Sequence, residues 1–177
     1  MTDAELARRL REHAYLEGDF LLRSGRRSRY YLDKYRFETN PELLRALGDR
    51  LAARALAVEA DRPDLLAGPE LGAVALAAAA SLASGIPFLI VRKDAKAYAT
   101  ERRIEGVYEA GSRVCLLEDV VTTGGAAVGA VKALRDAGLR CRSAVCVVDR
   151  DEGGSDALAR QAVRLHPLFR VDDIAAA

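Results

Sequence analysis

Residues 114 to 126, Val-Cys-Leu-Leu-Glu-Asp-Val-Val-Thr-Thr-Gly-Gly-Ala, combine an apolar run, two adjacent acids and a turn of hydroxyls and glycines. The apolar half, Val114 to Leu117, has the length and composition of a buried parallel strand. From Ala126 to Ala137, small and apolar residues recur at helical spacing. The segment is therefore predicted to form a strand, a tight loop and a helix.

The loop of this segment has the properties of an anion site. The first N–H groups of a helix have no intrahelical partner and carry the positive end of the helix dipole. Gly124 and Gly125 permit positive φ, and Thr122 and Thr123 add hydroxyl donors. We therefore expect the loop to bind a phosphate.

The two acids before the loop need a separate explanation. Glu118 and Asp119 would repel a phosphate, so they are predicted to face hydroxyl groups or a bound metal beside it, as a sugar diol would provide. Because adjacent side chains of a regular strand point to opposite faces, both acids can share one ligand only if the strand opens at Glu118. The alternative is an ordinary strand–helix turn whose acids merely lie near a helix N-terminus.

The composition predicts one globular domain over residues 1–177, with 50% hydrophobic and 30% charged residues. A net charge of +1 gives no reason to expect a nucleic acid partner. The longest apolar stretch, Leu71 to Ala83, is too short to span a bilayer, and the N-terminus lacks a signal-peptide core, so we expect a cytoplasmic protein with no membrane partner. Three cysteines lie in apolar segments and are expected to be buried, reduced thiols: Cys115, Cys141 and Cys146.

Strand and helix patterns alternate from Asp64 onward. This alternation predicts an α/β fold with a doubly wound parallel sheet, whose ligands lie beyond the carboxyl ends of the strands. The predicted strands are Leu65–Ala67, Ile86–Val91, Val114–Leu117 and Ser143–Val148, and the predicted helices are Ala4–Tyr15, Pro41–Val58, Gly72–Ser84 and Ala126–Ala137. A hairpin with Ser24-Gly25 as its turn is expected between Gly18 and Phe37.

One connection is unusually long. Residues 92–111 form a polar, charged segment between two core strands, and loops of this length inside a compact domain are usually functional lids or disordered. Its cations, Arg92, Lys93 and Lys96, would neutralise an anionic ligand, and a closed lid would exclude water.

The string Glu118–Ala126 resembles the phosphoribosyl pyrophosphate (PRPP) motif of the type I phosphoribosyltransferases. The lid, Arg-Lys-x-x-Lys-x-Tyr followed by Glu105-Gly106, makes the resemblance more specific to the orotate phosphoribosyltransferases, although Ala99 stands where that family usually has glycine. The stretch around Arg23 and the pair Asp149-Arg150 also match. The loop Gly68–Gly72 resembles the family's pyrophosphate loop, with Leu71 where some relatives carry lysine.

The resemblance implies transfer of the phosphoribosyl group from PRPP to orotate in pyrimidine biosynthesis. It implies a hood over 1–40, a core over 64–150, a mobile catalytic loop over 92–111, and Mg²⁺ held mainly through PRPP with no direct protein ligand. It further implies a homodimer in which each lid closes over the partner's site. Lys96 and Asp119 are the predicted catalytic residues. The PRPP-binding residues are predicted to be Arg92, Lys93, Lys96, Tyr98, Glu118, Asp119, Val120, Val121, Thr122, Thr123, Gly124, Gly125 and Ala126, and the orotate-binding residues Arg23, Tyr31, Leu32, Thr122 and Arg150.

Two other functions are considered. The hypoxanthine and guanine phosphoribosyltransferases carry an acid at the place of Thr122, so threonine argues against that subclass. A regulator that keeps the fold but binds nucleic acid would be expected to lose the lid cations and gain a basic surface, and this chain has done neither.

Overall fold

The computed structural model describes residues 1–21, 25, 27–58, 62–94 and 103–177. The strands are β1 (Tyr15–Leu21), β2 (Arg27–Leu32), β3 (Leu65–Pro69), β4 (Phe88–Val91), β5 (Ile104–Glu105), β6 (Arg113–Val121), β7 (Arg140–Asp149) and β8 (Arg164–Arg170). The helices are α1 (Asp3–Ala14), α2 (Tyr35–Glu38), α3 (Pro41–Ala57), α4 (Gly72–Ser84), α5 (Gly125–Asp136), α6 (Gly154–Ala159) and α7 (Val171–Ala175).

The main sheet has the order β5-β4-β3-β6-β7-β8. All neighbouring strands are parallel except β5, which pairs antiparallel with β4. Helices cover both faces: α1, α3 and α4 pack in one apolar cluster, while α5 and α6 pack in the other. The predicted doubly wound α/β fold is confirmed, and its carboxyl-terminal sheet edge carries the loops that follow β3, β6 and β7.

The N-terminal residues form a separate layer. Helix α1 is followed by the antiparallel hairpin β1–β2, which is a two-stranded sheet of its own, and then by the single turn α2. Gly25 has φ +79° at the hairpin turn, a conformation that favours glycine. Asn40 caps α3 by accepting hydrogen bonds from the N–H groups of Glu42 and Leu43, and Pro41 occupies the first turn, as expected.

The predicted core helices and strands are present, with shifted ends. Strand β6 continues four residues beyond Leu117, because Glu118 to Val121 keep their pairing with β7. Strand β8 was not predicted. It contains Pro167, which a ladder tolerates only at a sheet edge, and β8 is the edge strand beside β7.

The three cysteines are confirmed as buried free thiols. Burial raises the pKa of the Cys146 thiol well above its usual value. Within the described ranges, the structure contains no helix with the length and apolar character needed to cross a membrane.

Candidate functional site

The loop after β6 forms a small cavity of about 100 Å³, lined by Glu118 and by residues 120–127. Gly124 has φ +81° and precedes α5 without a side-chain cap. The N–H of Val128 donates to the carbonyl of Gly124, so the three N–H groups before it have no intrahelical acceptor. The cavity therefore presents backbone donors at a helix N-terminus, as the sequence predicted for a phosphate.

The residues of the loop after β6 differ in the groups that they can offer a ligand. Thr123, Gly125 and Ala126 are exposed, and Thr122 is half-buried, so their polar groups can contact a ligand. Val120 and Val121 pack their side chains into the apolar clusters and can offer only backbone groups.

The expectation that the strand opens at Glu118 is wrong. The ladder between β6 and β7 pairs Glu118 with Cys146 and Val120 with Val148, so the acids stay within the strand and leave it on different sides. Glu118 lines the phosphate-sized cavity, whereas Asp119 contacts Lys34. The acids flank the loop rather than lying on one face.

Glu118 is buried, and its Oε1 atom has no hydrogen-bond partner among the described residues. Burial, reinforced by the negative charge of Asp119, raises the pKa of Glu118 to about 8. This upward shift favours the protonated form of Glu118, which can donate a hydrogen bond to a ligand oxygen.

Asp119 lies in a compact ionic cluster with two residues of the N-terminal layer. The Lys34 Nζ atom donates to Asp119 Oδ2 at 2.5 Å. Burial lowers the pKa of Lys34, but its ion pair and hydrogen bond with Asp119 outweigh that effect, so the net shift is upward. Burial and the adjacent Asp119 carboxylate raise the pKa of Glu38 to about 7. We call Lys34, Glu38 and Asp119 the hood cluster.

The pyrophosphate-like loop of residues 68–72 adjoins this cluster. A Cβ atom on Gly72 would lie 1.8 Å from Asp119 Oδ2, so only glycine leaves room for the cluster at the start of α4. The side chain of Leu71 is exposed and makes no cap for that helix.

Arg150 is held at the end of β7, next to the phosphate loop. Its backbone N–H donates to the carbonyl of Val121 at 2.9 Å. Its Nε donates to the Tyr30 hydroxyl at 3.2 Å, and its guanidinium carbon lies 4.9 Å from the Tyr30 ring centroid. Glu152 pairs with it at 2.9 Å. The remaining N–H donors of this planar cation suit a planar anion.

The other predicted orotate residues lie on β2. Tyr31 is 40% exposed and its ring packs against Phe20, whereas the Leu32 side chain is buried in the core and can offer only its backbone to a base. Arg23 lies outside the described residues.

The base of the lid is connected to the pyrophosphate-like loop. The N–H of Lys93 donates to Glu70 Oε1 at 2.6 Å, and the N–H of Arg92 donates to the carbonyl of Arg103 at 2.7 Å. The Arg92 Nε atom is buried without a partner among the described residues. Lys96, Tyr98 and Ala99 lie outside the described residues.

A larger cavity, of about 630 Å³, lies at the opposite edge of the sheet. It is lined by residues that begin β6, β7 and β8, namely Arg113, Arg140 and Arg164. Ligands of doubly wound sheets bind beyond the carboxyl ends of the strands, so we assign the site to the smaller cavity.

Three residues around the site were not predicted: Lys34, Glu38 and Tyr30. Lys34 and Glu38 are four residues apart, a spacing that places two side chains together on a helix and indicates an ionic pair. No local pattern connects Tyr30 with Arg150, because these residues are 120 positions apart.

Comparison with known proteins identifies the family. The model of the phosphoribosyl transferase domain matches residues 36–164. The orotate phosphoribosyltransferase of Methanocella arvoryzae is 46% identical over 97% of this chain and 97% of its own length. A crystal structure of the Mycobacterium tuberculosis orotate phosphoribosyltransferase, in complex with Fe(III) dicitrate, is 34% identical with a TM-score of 0.84, over 97% of this chain and 98% of that one.

A second structure of the M. tuberculosis enzyme contains PRPP. It is 31% identical to this chain with a TM-score of 0.81, and the match covers 98% of each chain. The fold, the order of the motifs and the near-complete coverage of these relatives all indicate one family. The chain therefore belongs to the phosphoribosyltransferase family and, within it, to the orotate phosphoribosyltransferases.

Proposed function

We propose that this chain transfers the phosphoribosyl group of PRPP to orotate, giving orotidine 5′-monophosphate and pyrophosphate in pyrimidine biosynthesis. The observation that carries the proposal is the phosphate-sized cavity of residues 118–127, with Asp119 on one side and Arg150 at the end of the neighbouring strand. These three features supply places for a 5′-phosphate, a ribose diol and a planar anionic base.

The phosphate loop and the two acids hold the sugar. The open N–H groups before Val128 and the hydroxyls of Thr122 and Thr123 bind the 5′-phosphate. Asp119 contacts the diol, whereas Glu118, on the other side of the strand, lies beside the phosphate. As the bond to pyrophosphate breaks, positive charge develops on the sugar, and the anionic side chain of Asp119 favours that charge.

The base and the leaving group occupy opposite parts of the site. Arg150 binds the carboxylate of orotate, with Tyr31 and the backbone of Leu32 along the ring and Arg23 nearby. Arg92, Lys93, Lys96 and Tyr98 of the lid contact the pyrophosphate, with Lys96 as the catalytic cation.

Mg²⁺ fits the donor chemistry of the site. Among the described residues, no group of three or more His, Cys, Asp and Glu side chains is placed to hold a metal ion. We propose that the ion is held mainly by the phosphate oxygens of PRPP, which are the hard donors that Mg²⁺ prefers. When bound, Mg²⁺ would neutralise charge on the diphosphate. A homodimer and a cytoplasmic location remain predictions.

The proposed function is tested by asking which of three bases the protein consumes. The protein is incubated with Mg²⁺ and PRPP plus orotate, uracil or hypoxanthine, and loss of each base is followed by ultraviolet absorbance. We expect orotate alone to be consumed, with stoichiometric release of pyrophosphate. Consumption of hypoxanthine with orotate untouched would instead indicate a purine enzyme, and binding of PRPP without turnover of any base would indicate a regulator.

A further inference from the structure

The N-terminal layer places a cation against the acid that holds the sugar. Lys34 follows β2, and its Nζ atom lies 2.5 Å from Asp119 Oδ2. The side chain of Asp119 is 6% exposed, whereas that of Lys34 is 33% exposed and so is partly open to solvent. Glu38 lies one helical turn later, buried, with Oε1 unpartnered among the described residues.

The ammonium group of Lys34 lies beside the start of α4. A Cβ atom on Gly72 would lie 2.8 Å from Lys34 Nζ and 2.7 Å from Glu38 Oε1. Helix α4 has no side-chain cap and no acid in its first turn. Its free N–H groups and the Lys34 ammonium are both positive, and a cation beside a helix N-terminus is unfavourable unless an anion lies close to both. In the free protein that anion is Asp119, whose Oδ2 atom would lie 1.8 Å from a Cβ atom on Gly72. A ligand that takes Asp119 therefore leaves this point in need of another anion.

The loop that precedes α4 provides no cation of its own. Residues 68–72 are Gly-Pro-Glu-Leu-Gly, so no side chain of the loop can pair with an anion bound at the helix start. Lys34 lies beside Gly72 at the start of α4, although it belongs to the N-terminal layer. The positive charge that the loop lacks is therefore supplied by the N-terminal layer.

We propose that Lys34 exchanges partners when substrate binds. In the free protein it neutralises Asp119; when the ribose diol takes Asp119, Lys34 turns to the diphosphate oxygens at the start of α4. The inference rests on the proposed function, because it takes PRPP as the ligand. The Lys34 ammonium contributes to the binding of any diphosphate at this point, and the exchange gains most when a diol takes its place at Asp119, so it selects PRPP over ribose 5-phosphate.

The test measures two partial ligands separately. Lys34→Met keeps most of the side-chain volume and removes the charge, and binding of Mg²⁺-pyrophosphate and of ribose 5-phosphate is measured by calorimetry. We expect the pyrophosphate Kd to rise about 10- to 100-fold, because a charge-assisted hydrogen bond is lost. The ribose 5-phosphate Kd should stay unchanged or fall, because Asp119 is no longer occupied by Lys34.

The matched control is Arg36→Met, two residues after Lys34. Arg36 pairs with Asp33 at 3.3 Å, outside the hood cluster, and its replacement should change neither Kd. Equal weakening of both ligands by Lys34→Met would show that Lys34 only maintains the local structure, and an unchanged pyrophosphate Kd would equally overturn the inference.

The base assay separates this inference from the proposed function. If the wild type ignores orotate while Lys34→Met selectively loses pyrophosphate affinity, the role of Lys34 stands and the choice of base is wrong. If the wild type consumes orotate and Lys34→Met binds pyrophosphate normally, the role of Lys34 alone is wrong.

Discussion

At the scale of residues, two adjacent acids have opposite environments. Glu118 is buried in the phosphate-sized cavity, and burial raises its pKa to about 8, which favours its protonated form. Asp119 instead accepts a hydrogen bond from the Lys34 ammonium at 2.5 Å. One acid can therefore donate a hydrogen bond to the sugar or phosphate, while the other offers negative charge to the developing cation.

The raised pKa of Glu118 predicts a pH dependence of stability. In the unfolded chain this carboxyl titrates near 4.5, and in the folded protein near 8, so the folded state binds the extra proton between those values. Its contribution to stability is complete below pH 4.5 and is lost as pH rises through 8. We expect wild type to lose on the order of a few kcal/mol more than Glu118→Gln between pH 5 and 8.5.

Urea unfolding at the two pH values, without ligand, measures this difference. Glu109→Gln removes an exposed acid and serves as the control for the loss of one carboxyl group. Parallel pH profiles for wild type and Glu118→Gln would show that Glu118 is ionised in the folded protein.

At the scale of elements, the shape of the phosphate loop depends on its contact with α6. A Cβ atom on Gly154 would lie 2.3 Å from Val121 Cγ1 and 2.6 Å from the carbonyl oxygen of Thr122. The start of α6 therefore packs directly on the backbone that lines the cavity. The same loop depends on Gly124, whose left-handed conformation begins α5.

Gly154→Ala is expected to displace the loop. The variant should lose about 1–3 kcal/mol of stability through overpacking, and its affinity for ribose 5-phosphate should fall. Urea unfolding and calorimetry measure the two effects. An unchanged affinity in a folded Gly154→Ala protein would show that the loop does not need this contact.

Gly129→Ala is the matched control. Gly129 lies inside α5, and a Cβ atom there would meet nothing within 4 Å. Alanine in a helix interior is more favourable than glycine by about 0.5–1 kcal/mol, so this variant should gain stability and keep its affinity for ribose 5-phosphate.

At the scale of the whole molecule, the site is built from distant parts of the chain. The loops after β3, β6 and β7 meet at one sheet edge, and the N-terminal layer adds Lys34 to one loop and Tyr30 to another. The contacts join positions 85 and 120 residues apart. Closure by a lid from a partner subunit remains a prediction that activity measurements on mixed variants can test.

The test mixes two inactive variants. Lys96→Ala should lower turnover by orders of magnitude, because the lid cation stabilises the leaving group, and Asp119→Asn should do the same through the sugar. If lids close across subunits, each mixed dimer regains one site, and random exchange should restore about a quarter of wild-type activity. Turnover is measured after the variants are unfolded and refolded together. No recovery would indicate that each lid closes over its own site.

The sequence alone determined the fold class and the strand, loop and helix around residues 122–125. Both follow from local patterns: apolar runs bounded by turns give strands, helical spacing gives helices, and the Thr-Thr-Gly-Gly turn before a helix gives an anion site. The acids, the lid cations and Arg150 were also recognisable from their residue types and order. These features depend on chemistry within a few neighbouring positions.

Only the tertiary structure decided on which side of the strand each acid lies. The ladder with β7 extends to Val121, which keeps Glu118 and Asp119 on different sides of the strand, a result of pairing with residues about 28 positions away. Lys34 reaches Asp119 because the hairpin and α2 fold back over the sheet edge. Burial and charge at Glu118 and Asp119 are set by these long-range contacts, and a local pattern carries no information about them.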